Sequence, residues 1–215
     1  MKQIVFGNPV WIEKVDPLLY DKQELISVIN YNYNKAPTRN NWKGDNLSSL
    51  HHMYDDWDNK EFIKPDFESL RPIYEKHVSN FFRETNVKPC EYSIDIVNYT
   101  VINKDQYMSA HEHIADNTFA FVHYISFDRE SHYPLVFHND FIGRKFIKNN
   151  NFADKFEKNN ENFMIFLEKW VPYFNEDDII IFPAWLSHSV ENLFNINKNT
   201  DKNRICIVGN VTVYK

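Results

Sequence analysis

The hydrophobic period of this chain changes at Pro89, and that change limits the folds open to it. Before it, Phe67, Leu70, Ile73, Tyr74, His77, Val78, Phe81 and Phe82 recur at spacings of three and four. This predicts a helix over residues 66–84, with Pro72 confined to its first turns. After it, Tyr92, Ile94, Ile96 and Asn98 alternate with Ser93, Asp95, Val97 and Tyr99, the period of two that belongs to a strand. Residues 118–127, 133–137, 178–182, 188–193 and 205–214 read as further strands at hairpin-like spacings. Helices first and sheets afterwards predict an α+β, mainly β domain in which helices brace a β-sandwich or barrel.

Near the start, apolar residues 4–6 and 10–12 flank Gly7-Asn8-Pro9, so a strand broken by a turn is expected at a sheet edge, where it can support a homodimer. Asp21 followed by Glu24 reads as a capping box. Leu25, Ile26, Val28 and Ile29 then give the apolar side of a short helix ending near Asn30. Residues 31–64 show little period and read as surface loops and short strands. Between residues 139 and 175, Phe152, Phe156, Phe163, Phe166, Leu167 and Trp170 restore a helical pattern. A helical insertion near 140–175 is therefore expected, as a lid or as the cover of an exposed sheet edge. No linker or repeat divides the 215 residues, so a single domain over 1–215 is expected, with 1–88 as helical and loop support and 89–215 as the β core.

Composition removes several functional classes. A chain that is 43% hydrophobic and 16% aromatic can bury a core, which excludes wholesale disorder. Its 4 glycines form neither a GxxxxGK[ST] nor a GxGxxG loop, so those nucleotide-binding readings have no support. A net charge of −6 provides no general attraction for nucleic acid, which is not expected as a partner. The longest apolar stretch, residues 179–186, contains Pro183 and is too short to cross a membrane. Two well-separated cysteines, Cys90 and Cys206, and no leader-like start fit a reducing, cytoplasmic setting.

Nine histidines are present, and position distinguishes among them. His51, His52, His77, His123, His132 and His138 lack spaced partners and read as surface or core residues. His111-Glu112-His113 differs, because residues i and i+2 of a strand project from one face and bring two imidazoles together, with Glu112 pointing the other way. The best third ligand is His188, which follows the apolar run 178–182 and a Pro turn and opens the next strand.

Together these segments resemble the phage and bacterial branch of the Fe(II)/2-oxoglutarate-dependent oxygenases. Phe6-Gly7-Asn8-Pro9-Val10-Trp11 looks like that family's start. Tyr107 followed by His111-Glu112-His113 is similar to its Tyr and His-x-His segment, and the aromatic run 118–126 to the strand after it. Phe182-Pro183-Ala184-Trp185-Leu186-Ser187-His188-Ser189-Val190 is close to its Phe-Pro-Ser-x-Leu-x-His-x-Val pattern, and Arg204-Ile205-Cys206-Ile207-Val208-Gly209-Asn210 to its Arg-x-Ser-x-x-x-Asn closing strand.

The resemblance implies a double-stranded β-helix, of the jelly-roll or cupin-like kind, and an oxygenase that hydroxylates a small-molecule or peptidyl substrate. Dioxygen and 2-oxoglutarate are consumed, with release of succinate and CO2. Fe(II) would be held by His111, His113 and His188, and Arg204 would hold the distal carboxylate of 2-oxoglutarate. Tyr107 would be a hydrogen-bond donor to the same cosubstrate or a packed aromatic, and Cys206 stands at the usual Ser. Trp42, Trp57, Trp185 and Tyr124 would shape the pocket or belong to the core.

Three positions depart from the pattern. His113 occupies the customary carboxylate position, so the anion is either lost or supplied by Asp116; the strand period favours His113. Cys206 is a poorer hydrogen-bond former than Ser. Glu176-Asp177-Asp178 replaces a turn that usually carries Gly. Two other readings stay open: a cupin-type three-His metalloenzyme that does not use 2-oxoglutarate, and a catalytically inactive binding protein on the same fold.

Overall fold

The computed structural model describes residues 2–40, 48–53, 57–103, 106–113, 117–139, 167–191, 200 and 202–214. Its strands are β1 (Lys2–Val5), β2 (Asn8–Lys14), β3 (His51–Met53), β4 (Tyr92–Ile102), β5 (Met108–His111), β6 (Phe119–Ser126), β7 (Leu135–His138), β8 (Lys169–Trp170), β9 (Asp178–Pro183), β10 (His188–Val190) and β11 (Arg204–Val213). The helices are α1 (Lys22–Lys35) and α2 (Arg71–Thr85). The strands form a seven-stranded sheet in the order β1-β2-β9-β6-β11-β4-β3 and a four-stranded sheet in the order β5-β10-β7-β8. Neighbours within both sheets are antiparallel.

Strand alternation sorts the apolar residues of the large sheet into two cores. Phe119, Phe121 and Ile125 of β6 and Ile205, Ile207 and Val211 of β11 pack with Tyr74, Val78, Phe81 and Phe82 of α2 and Leu25 and Ile29 of α1. The alternate residues, Ala120, Val122 and Tyr124 of β6 and Cys206 of β11, face Leu135 and Phe137 of the small sheet. Two sheets sharing an inner core, with helices on one outer face, make the mainly β double-stranded β-helix that was expected. Among the described residues no helix is long and apolar enough to cross a membrane.

The first hairpin lies at the sheet edge, as read, but its turn is Phe6-Gly7, at φ 51° and 83°, while Asn8 and Pro9 already belong to β2. Two consecutive positive φ values match the twist of the flanking strands, and Gly7 takes its share without strain. Helix α1 starts as expected, with the Asp21 side chain accepting the Glu24 N–H at 2.9 Å. It runs past Asn30 to Lys35 because polar residues there are anchored by tertiary contacts. Asn32 is fully buried and exchanges two hydrogen bonds, of 2.8 and 2.9 Å, with the backbone of Ile63. Helix α2 has Pro72 in its first turn, preceded by a 3-10 turn at Glu68–Leu70, and Asn86 in the left-handed conformation ends it. Asp177 takes the left-handed conformation, φ 66°, at the turn where a Gly is customary, and Lys22 holds its carboxylate at 2.5 Å.

The continuous alternation read for β4 does not hold. Val208 of β11 faces Asn98, and the next residue, Gly209, faces Ile96, so Val97 is an extra residue on β4. Ile94 and Ile96 pack toward the helices on one side of this bulge, and Tyr99 and Val101 do so on the other. Asn98 is thereby moved from the face of Ile96 to the opposite one. The helical pattern at 139–175 falls mostly on residues 140–166, outside the described residues. Its described end is strand instead: Trp170 lies in β8 and stacks on Phe137 at 5.8 Å, because an aromatic neighbour across the ladder outweighs a helical spacing.

Two predictions follow from this packing. A Cβ built on Gly209 would lie 2.2 Å from the Phe121 ring and 2.8 Å from the Asp95 carbonyl. Gly209→Ala should therefore cost about 1–3 kcal/mol, read as a lower denaturant midpoint with the same slope. Burial pushes the pKa of His123 down to about 3 and that of His52 down to about 4, the latter aided by the charge of His51. Unfolded imidazoles titrate near ~6.5. Below that pH the unfolded chain binds protons that the folded one excludes, so stability present at neutral pH is lost as pH falls from about 6.5 toward 3. Imidazole C–H resonances of His52 and His123 should not shift between about pH 7 and 5, and proton uptake there by the folded protein would contradict the assignment.

Candidate metal centre

Strands β5 and β10 pair so that His111 lies directly opposite His188, and this register builds the centre. β5 ends at His111, and His113 is held beyond it by its backbone N–H, which donates to the Ala184 carbonyl at 2.8 Å. The three rings lie together, with centroids 4.2 Å apart for His111 and His188, 5.2 Å for His111 and His113, and 5.1 Å for His113 and His188.

Each ring is oriented from behind. His111 Nδ1 donates to the Ser109 carbonyl at 3.0 Å, His188 Nδ1 to the Leu186 carbonyl at 2.9 Å, and His113 Nδ1 to Asn210 Oδ1 at 2.9 Å. With the proton on Nδ1, the Nε2 lone pairs become the ligand atoms. The ligand atoms of the three residues lie within 4.8 Å of one another, and His111 Nε2 is 3.3 Å from His113 Nε2. Two imidazoles side by side on one metal, with bonds of about 2.1 Å, have nitrogens about 3 Å apart. Burial, reinforced by the charges of His111 and His113, holds the pKa of His188 well below its usual value. Burial lowers that of His113 against the upward pull of Asn210. Both rings are thus kept in the neutral form that binds a metal.

The centre opens into a cavity of about 320 Å³ whose wall also includes Arg204, Asn98 and His52. Arg204 is 2% exposed. Among the described residues its guanidinium makes one Nη2 hydrogen bond of 3.3 Å to the Tyr124 hydroxyl and lies 5.0 Å from that ring's centre, while its Nε has no acceptor. Among the described residues no carboxylate pairs with it. A buried, unpaired guanidinium is costly, and an anionic ligand that fills the cavity would relieve it with a bidentate bond. These residues fit both groups of the implied pair: three imidazole nitrogen donors for Fe(II), and an orphaned buried cation for a dicarboxylate.

Other residues expected at the site lie elsewhere. Tyr107 is 45% exposed, and its backbone exchanges hydrogen bonds with Ser49; it is not part of the cavity wall. Cys206 is buried one layer behind, where burial pushes its thiol pKa up to about 11. Asp116 and Trp42 lie outside the described residues. Trp57 packs against Phe67 and Tyr99 on the helix side, and Trp185 is exposed with its Nε1 donating to Asn8. Tyr124 takes the aromatic role as the partner of Arg204. Glu112 lines the cavity instead of pointing away, because β5 has ended and the alternation with it.

Of the histidines read as bland, His77 bonds Glu13, His123 bonds Tyr74, His132 bonds the Lys202 carbonyl and His138 bonds Ser189. His51 is in the core, bonded to the Ala36 carbonyl and Tyr99. His52, in β3 and not in a loop, is a cavity residue that sequence reasoning missed, as it missed Asn98 and the role of Asn210. The Asn that ends the closing-strand pattern was the available signal for Asn210.

No protein-family model matches the chain, and no curated protein matches it. Solved structures do. A prolyl-4-hydroxylase from Pseudomonas putida is similar with a TM-score of 0.52 at 7% identity, covering 96% of this chain and 93% of its own. A 2OG-Fe(II) oxygenase family oxidoreductase from Burkholderia pseudomallei aligns with a TM-score of 0.48 at 13% identity, over 94% of this chain and 84% of its own. The viral collagen prolyl hydroxylase of Paramecium Bursaria Chlorella virus-1 aligns at 0.45 and 14%, over 95% and 97%. At 7% identity the likeness to the prolyl-4-hydroxylase speaks for the fold alone, and the chain has a 2OG-Fe(II) oxygenase-like fold.

Proposed function

We propose that the protein is an Fe(II)- and 2-oxoglutarate-dependent oxygenase that hydroxylates a C–H bond of a small-molecule or peptidyl substrate. The observation that carries the reading is Arg204, a buried guanidinium without a carboxylate partner among the described residues, which shares a cavity with three preoriented imidazoles. Iron with 2-oxoglutarate and O2 supplies an oxidant strong enough to hydroxylate such a bond, with succinate and CO2 released.

The chain's own part is positioning. His111, His113 and His188 offer Nε2 to the metal, while the Ser109 and Leu186 carbonyls and Asn210 fix the rings. Arg204 holds the far carboxylate of the cosubstrate, and Tyr124 steadies the guanidinium. Val122, Leu135, Val190 and Val208 supply apolar wall that limits water around the oxidant.

His113 at a position where a carboxylate is customary favours a second reading, a cupin-type three-His enzyme that makes no use of 2-oxoglutarate. That reading gives Arg204 no role.

Visible absorption of the Fe(II)-reconstituted protein under anaerobic conditions separates the two. Addition of 2-oxoglutarate should produce a charge-transfer band. Arg204→Ala, with Arg204→Lys as the variant that keeps the charge, should retain metal but weaken 2-oxoglutarate binding by about a hundredfold or more, the effect of losing one partner of a buried charge pair. Bound iron without a band would support the three-His enzyme, and no bound iron would leave an inactive binding protein. Asn210→Ala frees the His113 ring and should lower metal affinity by roughly 10–100-fold in a competition titration, and an unchanged affinity would deny Asn210 that role.

A further inference from the structure

With the histidines and Arg204 assigned, the polar residues left on the described cavity wall are Asp95, Asn98, Thr100, Glu112 and Asn117, of which the two carboxylates offer acceptors alone. Asn98 is 3% exposed, and its Nδ2 donates to His52 Nε2, so its Oδ1 is buried without a donor. A buried carbonyl left in that state costs about 1–3 kcal/mol, which a ligand N–H would recover. Asp95 of β4 and Glu112, between two of the histidines, line the same cavity. Both are exposed, and among the described residues neither carboxylate makes a hydrogen bond or an ion pair. Arg71 feels the charge of Asp95 from outside the cavity, but its guanidinium binds Glu68 at 2.8 and 3.0 Å and the Ile94 carbonyl at 2.7 Å. Arg204 is the one Lys or Arg among the described residues of the wall. His52 adds no positive charge near neutral pH, since burial and the charge of His51 lower its pKa to about 4.

Charge balance points the same way. The ferrous ion and the dianionic cosubstrate cancel, and Arg204 offsets one of the two carboxylates. One negative charge remains on exposed carboxylates at the cavity wall, where it attracts an opposite charge and is screened by salt.

We infer that the substrate carries a protonated amine or a guanidinium, held by Asp95 and Glu112 with an N–H donated to the Asn98 carbonyl. The charge balance rests on the oxygenase reading, whereas the two wall carboxylates and the unpaired Asn98 carbonyl do not. The cation can belong to a free small molecule or to a side chain of a peptide, and the probes below separate these sources.

The test is calorimetric binding to the Zn(II)-loaded protein, with and without 2-oxoglutarate. The probes are L-lysine, L-arginine, Nα-acetyl-L-lysine amide, L-norleucine and L-glutamate. At least one cationic probe should bind on the order of tenfold tighter than norleucine, and added salt should reduce the preference. Preference for free lysine indicates a small molecule, and preference for the blocked form a peptide side chain. Asp95→Asn combined with Glu112→Gln changes two exposed side chains with little change of shape and should bring the ratio to norleucine close to one. Glu130→Gln, an exposed acid outside the cavity, should leave it intact. Asn98→Ala should weaken cation binding as well, and because it alters a buried contact the double variant is the deciding one. Equal or tighter binding of norleucine or glutamate, no binding of any cation, or a preference that survives in the double variant would overturn the inference. Cation binding without 2-oxoglutarate binding would instead overturn the oxygenase reading and leave this one standing.

Discussion

The site depends on one ladder contact, the pairing of His188 with His111 across β5 and β10. A slip of one residue would send every side chain of the short β10 to the other face, taking His188 out of the centre and Val190 out of its contact with Met108. The register is secured on the other side as well, where β10 pairs with β7 through His188–Phe137, Ser189–Val136 and Val190–Leu135. Phe182 and Phe137 pack against the His188 ring at 4.8 and 6.3 Å. The same apolar contacts that stabilise the small sheet therefore bury the His188 ring and keep it neutral.

The large sheet meets this centre through a second constraint, the bulge at Val97. β11 keeps strict alternation, so Arg204, Val208 and Asn210 look toward the cavity side, and Gly209 lies against Phe121. β4 must carry an extra residue if its apolar side chains are to stay on the helix core at both ends while Asn98 and Thr100 face the cavity. Bulges re-aim side chains at active sites, and here the local loss of ladder regularity places polar groups opposite Arg204's strand.

What was legible in the sequence were features whose signal is local. His111, His113, His188 and Arg204 stand out because strand period and short motifs bear on them directly, and the structure brings these four to one cavity. Helix α2 was readable because its buried face repeats strictly. The residues that escaped depend on long-range pairing. Asn98 was assigned to the wrong face because a bulge leaves no mark in the residues around it. His52 sits in a three-residue edge strand whose existence is decided by β4. Tyr124 displaced Tyr107 as the aromatic partner because the register of β6 on β11, where it faces Cys206, cannot be read from either strand alone. The end of α1 was missed for a related reason: Asn32 looks like a helix breaker until Ile63 binds both ends of its amide.

On the proposed oxygenase reading, His113 in place of a carboxylate has a consequence for the whole cavity. A triad with one anionic ligand would reduce the metal's charge at the metal itself, whereas three imidazoles leave that charge whole and hand its balance to groups further out. Arg204 cannot help, being a cation. The negative charges that face the cavity, Asp95 and Glu112, come from the strand edge beyond the bulge and from the segment just past β5. Asp95 takes its face by ordinary alternation with Ile94 and Ile96, whereas Glu112 turns to the cavity because the strand has ended. On that reading charge neutrality and substrate choice become the same problem in this cavity: a ligand that completes it would satisfy two peripheral carboxylates and one buried carbonyl without displacing the anion proposed for Arg204.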